Sequence, residues 1–249
     1  MNRQVPIESQ RVDAPLTSHA TVLVLTLNET DEAFKVVRAA LAGVSGITNS
    51  VAIRDLNASS ACTVGIGSDV WDRPMASVKP SELHPFRVIE GKTHTAVSTP
   101  GDLLFHIRSE QCDLNFKFER QLMDQLGDAV KVVDETVGFR YFFGVRDLLG
   151  FVDGTANPDG QAVDDSVVIT EHDDLVVAGG SYIVVQKYVH DLKGWKSMST
   201  EQQEAVIGRT KLDIVELDDA TDGQQHAHKS SVFPHSYRGI GIATVRGLV

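Results

Sequence analysis

Along this chain the spacing of apolar positions switches between a period of two and a period near 3.6, and each switch marks an element. The run HATVLVLTLN (19–28) is apolar and β-branched, which predicts a strand covered on both faces. Asn28–Thr30 then supplies turn and cap chemistry. In DEAFKVVRAALAGV (31–44), Phe34, Val37, Leu41 and Val44 recur at helical spacing, and Asp31 and Glu32 fall in the first turn, where the helix dipole favours negative charge. CTVGIG (62–67) and GDLLFHIRSE (101–110) read as strands, while the proline-punctuated stretch between them, 68–99, reads as loop. Leu114, Phe118, Leu122 and Leu126 line one face of a helix ended by Gly127, and AVKVVDETVGFR (129–140) returns to strand. GGSYIVVQKYVH (179–190) predicts a strong strand. SMSTEQQEAVIG (197–208) predicts a helix opened by a capping box, Ser199 with Gln202, and closed by Gly208.

Strands and helices mix here without a regular βαβ rhythm, so the expected class is α+β with antiparallel sheets. The strand–helix pairs at 19–44 and 179–208 are alike in pattern, which suggests two related units. The division expected is an N-terminal arm over 1–18, a first unit over 19–145 and a second over 146–249.

Composition narrows the function. A formal net charge of −11, with no Lys/Arg-rich run, opposes binding to nucleic acid or anionic lipid. The polar start MNRQVPIESQRVDAP lacks a secretory apolar region, and no stretch approaches the ~20 apolar residues of a membrane span. Cys62 and Cys112 are far apart, in neither metal-like nor redox spacing, and their apolar contexts predict reduced, buried thiols. A cytoplasmic address is the expectation.

One stretch carries chemistry. LLGFVDGTANP (148–158) sets a single carboxylate, Asp153, among apolar residues and glycines. Asp-Gly and Asn-Pro are turn dipeptides, so a plain turn is one reading. The other is an acid held beside an apolar wall, with Gly150 and Gly154 allowing a flat ligand to approach closely. Poor solvation raises such a carboxyl's pKa and lets it accept and return a proton near neutrality.

GFVDGTANP resembles the GxxDG motif of the dye-decolourising (DyP-type) haem peroxidases. VVDETVGFRYF (132–142), AGGSYIVVQKYVHDLKGW (178–195) and MSTEQQEAVIGRTK (198–211) are similar to segments of the same family, so the resemblance is clear from Val132 to Lys211 and compatible from His19 onward. It implies two ferredoxin-like α+β units with packed helices, haem b in the second, hydrogen peroxide as oxidant, and an aromatic, phenolic or dye-like electron donor. Asp153 becomes the distal acid/base that moves a proton between the peroxide oxygens. Arg209, in IGRTK, corresponds to an arginine near a haem propionate; its plainer reading is an exposed residue satisfying last-turn carbonyls. Trp195 and Tyr188 are candidate electron relays, with core packing the stronger expectation.

Among nine histidines, the family's proximal ligand position, after VIGRTK and an acidic stretch, fits His228 in DGQQHAHKSSV, with His226 as the alternative. His190 ends the expected strand and could line the pocket. Arg246 falls at about the separation of the family's distal arginine, yet Gly247-Leu248-Val249 follows it, and a chance arginine is the preferred reading. The ending therefore looks truncated or altered, leaving the second unit incomplete. Unpaired sheet edges would then favour a homo-oligomer. Two rival functions follow: a non-catalytic haem- or porphyrin-binding protein, and a metal-dependent hydrolase built on the HAH pair.

Overall fold

In the computed structural model, the described residues are 10, 12–71, 79–92, 95–141, 146–152, 158, 160–175, 177–187, 189–217 and 242–244. The first apolar run is strand β1 (His19–Leu27), whose positions Thr21, Leu23, Leu25 and Leu27 are buried while the alternate ones are half-buried. One face is packed and the other only partly covered, in place of the two covered faces expected. Antiparallel partners permit this, because no crossover helix has to lie over the second face.

The Thr30 side chain accepts a hydrogen bond from the Ala33 amide at 3.1 Å and starts α1 (Asp31–Ala52). The helix outruns its expected end at Val44 because Ile47 and Val51 keep the apolar stripe in phase, and both are buried. Next come β2 (Ala61–Gly67) and a single helical turn, α2 (Ser68–Trp71). The loop expected over 68–99 also holds a minimal hairpin of β3 (Ile89–Glu90) and β4 (Thr95–Ala96). β5 (Leu103–Ser109), α3 (Cys112–Leu126) and β6 (Val130–Phe139) follow as the pattern predicts, and α3 closes at Gly127 with a φ of +47°. The remaining elements are α4 (Gln161–Val167), β7 (Ser181–Ile183), α5 (Leu192–Ser197), α6 (Thr200–Ile207) and β8 (Ile242–Thr244).

Six strands form one antiparallel sheet in the order β6-β1-β5-β2-β8-β7. The segment β1-α1-β2-β5-α3-β6, with spatial order β6-β1-β5-β2, is a ferredoxin-like arrangement, as expected of the α+β class. Its core gathers Leu23, Val37, Leu41, Phe105, Phe118 and Leu122, each at most 3% exposed, so nearly the whole transfer free energy of each side chain is realised. The described residues fall into two compact units that interleave along the chain. Those of 10–140, 160–184 and 242–244 form one, and those of 141–158 and 185–217 form the other.

Two expectations are corrected. The strand predicted over 179–190 extends only from Ser181 to Ile183, and Val185 and Val189 beyond it are exposed. Of the two cysteines, Cys62 is half-buried and burial pushes its thiol well up, despite the opposing effect of Arg108; Cys112 is exposed at the first position of α3, where Leu114 and Phe118 take the inward places.

Gln10 ties the polar arm to the sheet at β2. Gln10 Oε1 accepts from the Val64 amide at 2.7 Å and its Nε2 donates to the Val64 carbonyl at 3.0 Å. On β5, Arg108 is buried and donates to the Ala14 carbonyl (3.2 Å) and to Thr63 Oγ1 (3.4 Å). Nearby His106 is half-buried. Burial, and secondarily the Arg108 charge, lower its imidazole from 6.5 to about 4.

The folded protein therefore favours neutral His106, so this group's contribution is complete above pH 6.5 and is lost as pH falls toward 4. We expect about 1–3 kcal/mol of stability to disappear across that window, solvent screening included. Urea unfolding at pH 7.5, 5.5 and 4.5 measures it. An unchanged pH slope in His106→Gln would assign the loss elsewhere.

Candidate active site

The backbone leading to Asp153 is a tight hook. Arg146 and Val152 form an antiparallel bridge, and between them the Asp147 amide donates to the Phe151 carbonyl at 2.7 Å. Asp147 Oδ1 accepts from the amides of Leu149 (3.0 Å) and Phe151 (2.9 Å), so one carboxylate satisfies the inside of the turn. Gly150 sits at φ +92°, a conformation that L side chains rarely adopt, and its amide donates to the Asp147 carbonyl at 3.1 Å. Phe151 is buried. Asp147 carries none of the roles read from the sequence; the signal for it was the D-x-x-G spacing.

Residues of 195–212 hold this hook, through backbone carbonyls as well as side chains. Arg146 Nη1 donates to the carbonyls of Gly150 (2.8 Å) and Lys211 (2.6 Å), and its Nη2 donates to that of Leu212 (3.2 Å). Trp195 Nε1 donates to the Leu149 carbonyl at 3.1 Å, and its ring meets Phe151 edge-on with centroids 6.1 Å apart. Lys211 Nζ donates to Gln203 Oε1 at 2.6 Å and lies 5.5 Å from the centre of the Phe151 ring. Gln203 itself is buried and donates to the Trp195 carbonyl at 2.8 Å. These contacts give Trp195 the packing role.

Gly150 also meets this lysine: a Cβ built there would lie 2.8 Å from Lys211 Cε, so the missing side chain leaves room for the lysine stem. Of the local capping in 191–208, the Ser199–Gln202 box was legible and the Asp191 cap was not read. The Asp191 carboxylate caps α5 through the Gly194 amide at 2.9 Å, and Ser199 and Gln202 form a capping box on α6.

At the end of α6, Gly208 adopts φ +81° and turns the chain into a hairpin. The Leu217 amide donates to the Gly208 carbonyl at 3.0 Å and the Thr210 amide to that of Val215 at 2.8 Å. Across this hairpin Arg209 Nη2 donates to Glu216 Oε1 at 2.9 Å, with side chains 13% and 51% exposed. Arg209 is thus mostly buried and engages a carboxylate, unlike the exposed residue of the plainer reading. A guanidinium presents its donors in a planar fork that matches carboxylate geometry.

Asp153, Gly154, Tyr188, His226, His228 and Arg246 lie outside the described residues. His190 is exposed and does not end a strand, since β7 stops at Ile183. His19 lies on β1 and His106 on β5. Among the described residues no cluster of three His, Cys, Asp or Glu side chains could hold a metal ion, and no helix is long and apolar enough to cross a membrane.

Comparison with known proteins adds the following. A family model described as Dyp-type peroxidase, N-terminal, matches residues 10–140, and one described as Dyp-type peroxidase, C-terminal, matches 144–246. The chain is 49% identical over 213 residues to a dye-decolorizing peroxidase of Mycobacterium tuberculosis, covering 86% of this chain and 62% of that protein. It thus spans about 60% of the length of the curated relatives it matches. A crystal structure of a dye-decolorizing peroxidase from Bacteroides thetaiotaomicron is similar at a TM-score of 0.84 and 36% identity, over 96% of this chain and 82% of that one. A DypB variant from Rhodococcus jostii in complex with heme is similar at a TM-score of 0.80 and 48% identity, over 86% of this chain and 69% of that one.

Because Gly150 combines a left-handed backbone with contact to Lys211, Gly150→Ala should cost about 1–2 kcal/mol, chiefly from the backbone conformation. Chemical denaturation at neutral pH measures this. A neutral substitution would mean that the hook adopts another backbone.

Proposed function

The chain belongs to the Dyp-type peroxidase family, and on that premise we propose that it is a haem-dependent peroxidase using hydrogen peroxide to oxidise aromatic, phenolic or dye-like donors. The observation that carries this reading is the consecutive match of both family models, over 10–140 and 144–246. Haem b supplies the redox chemistry when bound. Asp153 accepts a proton from the near oxygen of the peroxide and returns it to the far one, which leaves as water; an apolar setting is what keeps such a carboxyl near neutrality. His228 is the iron ligand, with His226 its neighbour and alternative. Arg209 pairs with a propionate through the fork it already presents to Glu216. The hook supports the role of Asp153, because a proton carrier must leave the scaffold from a fixed point.

The protein acts as a homo-oligomer in the cytoplasm. Self-association is supported by β6, whose outer edge has no ladder partner among the described residues and whose Val137 and Phe139 are 66% and 71% exposed. The cytoplasmic address is supported by two cysteines that form no disulfide.

Titration of the purified chain with haem should yield a Soret band that His228→Ala shifts or abolishes and His226→Ala leaves in place. Asp153→Ala should retain that band while lowering peroxide-driven oxidation of a phenolic donor by roughly 100-fold or more. Haem uptake without any peroxide-dependent oxidation would sink the peroxidase reading and leave a binding protein. Sedimentation velocity should show an oligomer that Val137→Lys shifts toward monomer; identical profiles for the two would reject the edge of β6 as the interface.

A further inference from the structure

We propose that Arg146 is a positioning residue for the acid/base step, fixing the point from which Asp153 leaves the scaffold; the inference rests on the reading of Asp153 as proton carrier. The guanidinium joins two segments that are distant in sequence. One Nη1 bridges the Gly150 carbonyl, inside the hook, and the Lys211 carbonyl, while Nη2 takes that of Leu212. Among the described residues these backbone carbonyls are its only hydrogen-bond acceptors, so its fork is spent on holding backbone to backbone. The carbonyls of Lys211 and Leu212 open the loop of the Gly208–Leu217 hairpin, which α6 anchors in turn.

Within the hook, Asp147 sets the curvature through Leu149 and Phe151, but among the described residues it bonds only inside 146–152. Asp147 therefore shapes the hook without anchoring it. Trp195 and Lys211 touch its far side, at the Leu149 carbonyl and the Phe151 ring. Arg146 stands at the mouth, in the bridge with Val152, the residue immediately before Asp153. A lysine at 146 would keep the charge but offer one compact donor group where two forked nitrogens now span both segments.

The test uses the full chain reconstituted with haem. It compares wild type, Arg146→Met, Arg146→Lys, Asp153→Ala and the double variant Arg146→Met/Asp153→Ala. Two rates are read by stopped flow: the absorbance change with hydrogen peroxide, and association of cyanide, whose protonated form must give up its proton to a distal base. Amide exchange of 147–152 and of α6 is followed in the cofactor-free chain. Both Arg146 variants should slow both rates roughly 10- to 100-fold, with haem affinity within about threefold of wild type and no further loss when Asp153 is already alanine. Exchange of the Leu149 and Phe151 amides should quicken while α6 keeps its protection.

Wild-type rates in the Arg146 variants, or the same proportional loss in the Asp153→Ala background, would overturn the inference. If Arg146→Met does not fold, Arg146→Lys decides by the same criteria. A wild-type chain that takes up haem yet responds neither to peroxide nor to cyanide defeats the peroxidase reading first, and this inference with it.

Discussion

Strand β1 is hydrogen-bonded along both edges, to β5 from His19 through Leu25 and to β6 from His19 through Leu27, and the rest of the first unit is arranged around that double pairing. A strand paired on both sides has one register in which Leu23 and Leu25 point to the helices, and a slip of one residue would turn Thr26, Val24 and Val22 inward instead. The register also sets where α1 and α3 must return to cover the sheet. A bulge between Val24 and Leu25 shifts the β6 pairing by one residue without disturbing the β5 side. The strain of curvature is thus placed on the outer neighbour, and the inner ladder stays regular.

What local chemistry controls was legible before the fold was known. The Thr30 cap, the Ser199–Gln202 box and the closures at Gly127 and Gly208 depend on residues a few positions apart, so their patterns survive in the chain. The length of β7 does not, because a strand depends on its pairing, here with residues far along the chain. Likewise nothing near Gly150 in sequence announces Lys211, sixty-one positions away, whose stem lies where a side chain would be. The plainer alternative for Arg209, an exposed helix-end residue, gives way once the hairpin brings Glu216 opposite. Arg146 gave no pattern at all, since its acceptors are carbonyls, which every residue has.

In the second unit several polar side chains are directed to backbone, beside side-chain pairs such as Arg209–Glu216 and Lys211–Gln203. Asp147, Arg146, Trp195 and Gln203 all bond to main-chain amides or carbonyls, and each such bond removes a freedom of the chain itself. Buried peptide groups left unmatched are expensive, so a short irregular segment can be made rigid only if side chains stand in for the missing ladder. A chemically active loop can then be held in shape without a strand or helix of its own.

The contact of Gln10 with Val64 illustrates how little sequence such a substitution needs. A carboxamide has the same donor and acceptor as a peptide unit, so one glutamine imitates a single rung of a neighbouring strand. A true extra strand would have to choose among several alignments, and its own side chains would have to suit both surfaces of the sheet. A lone amide on a flexible stem has one docking point and imposes no alternation on the residues around it. The arm is thereby joined to β2 at Gln10 by a contact that asks nothing of the strand's own alternation.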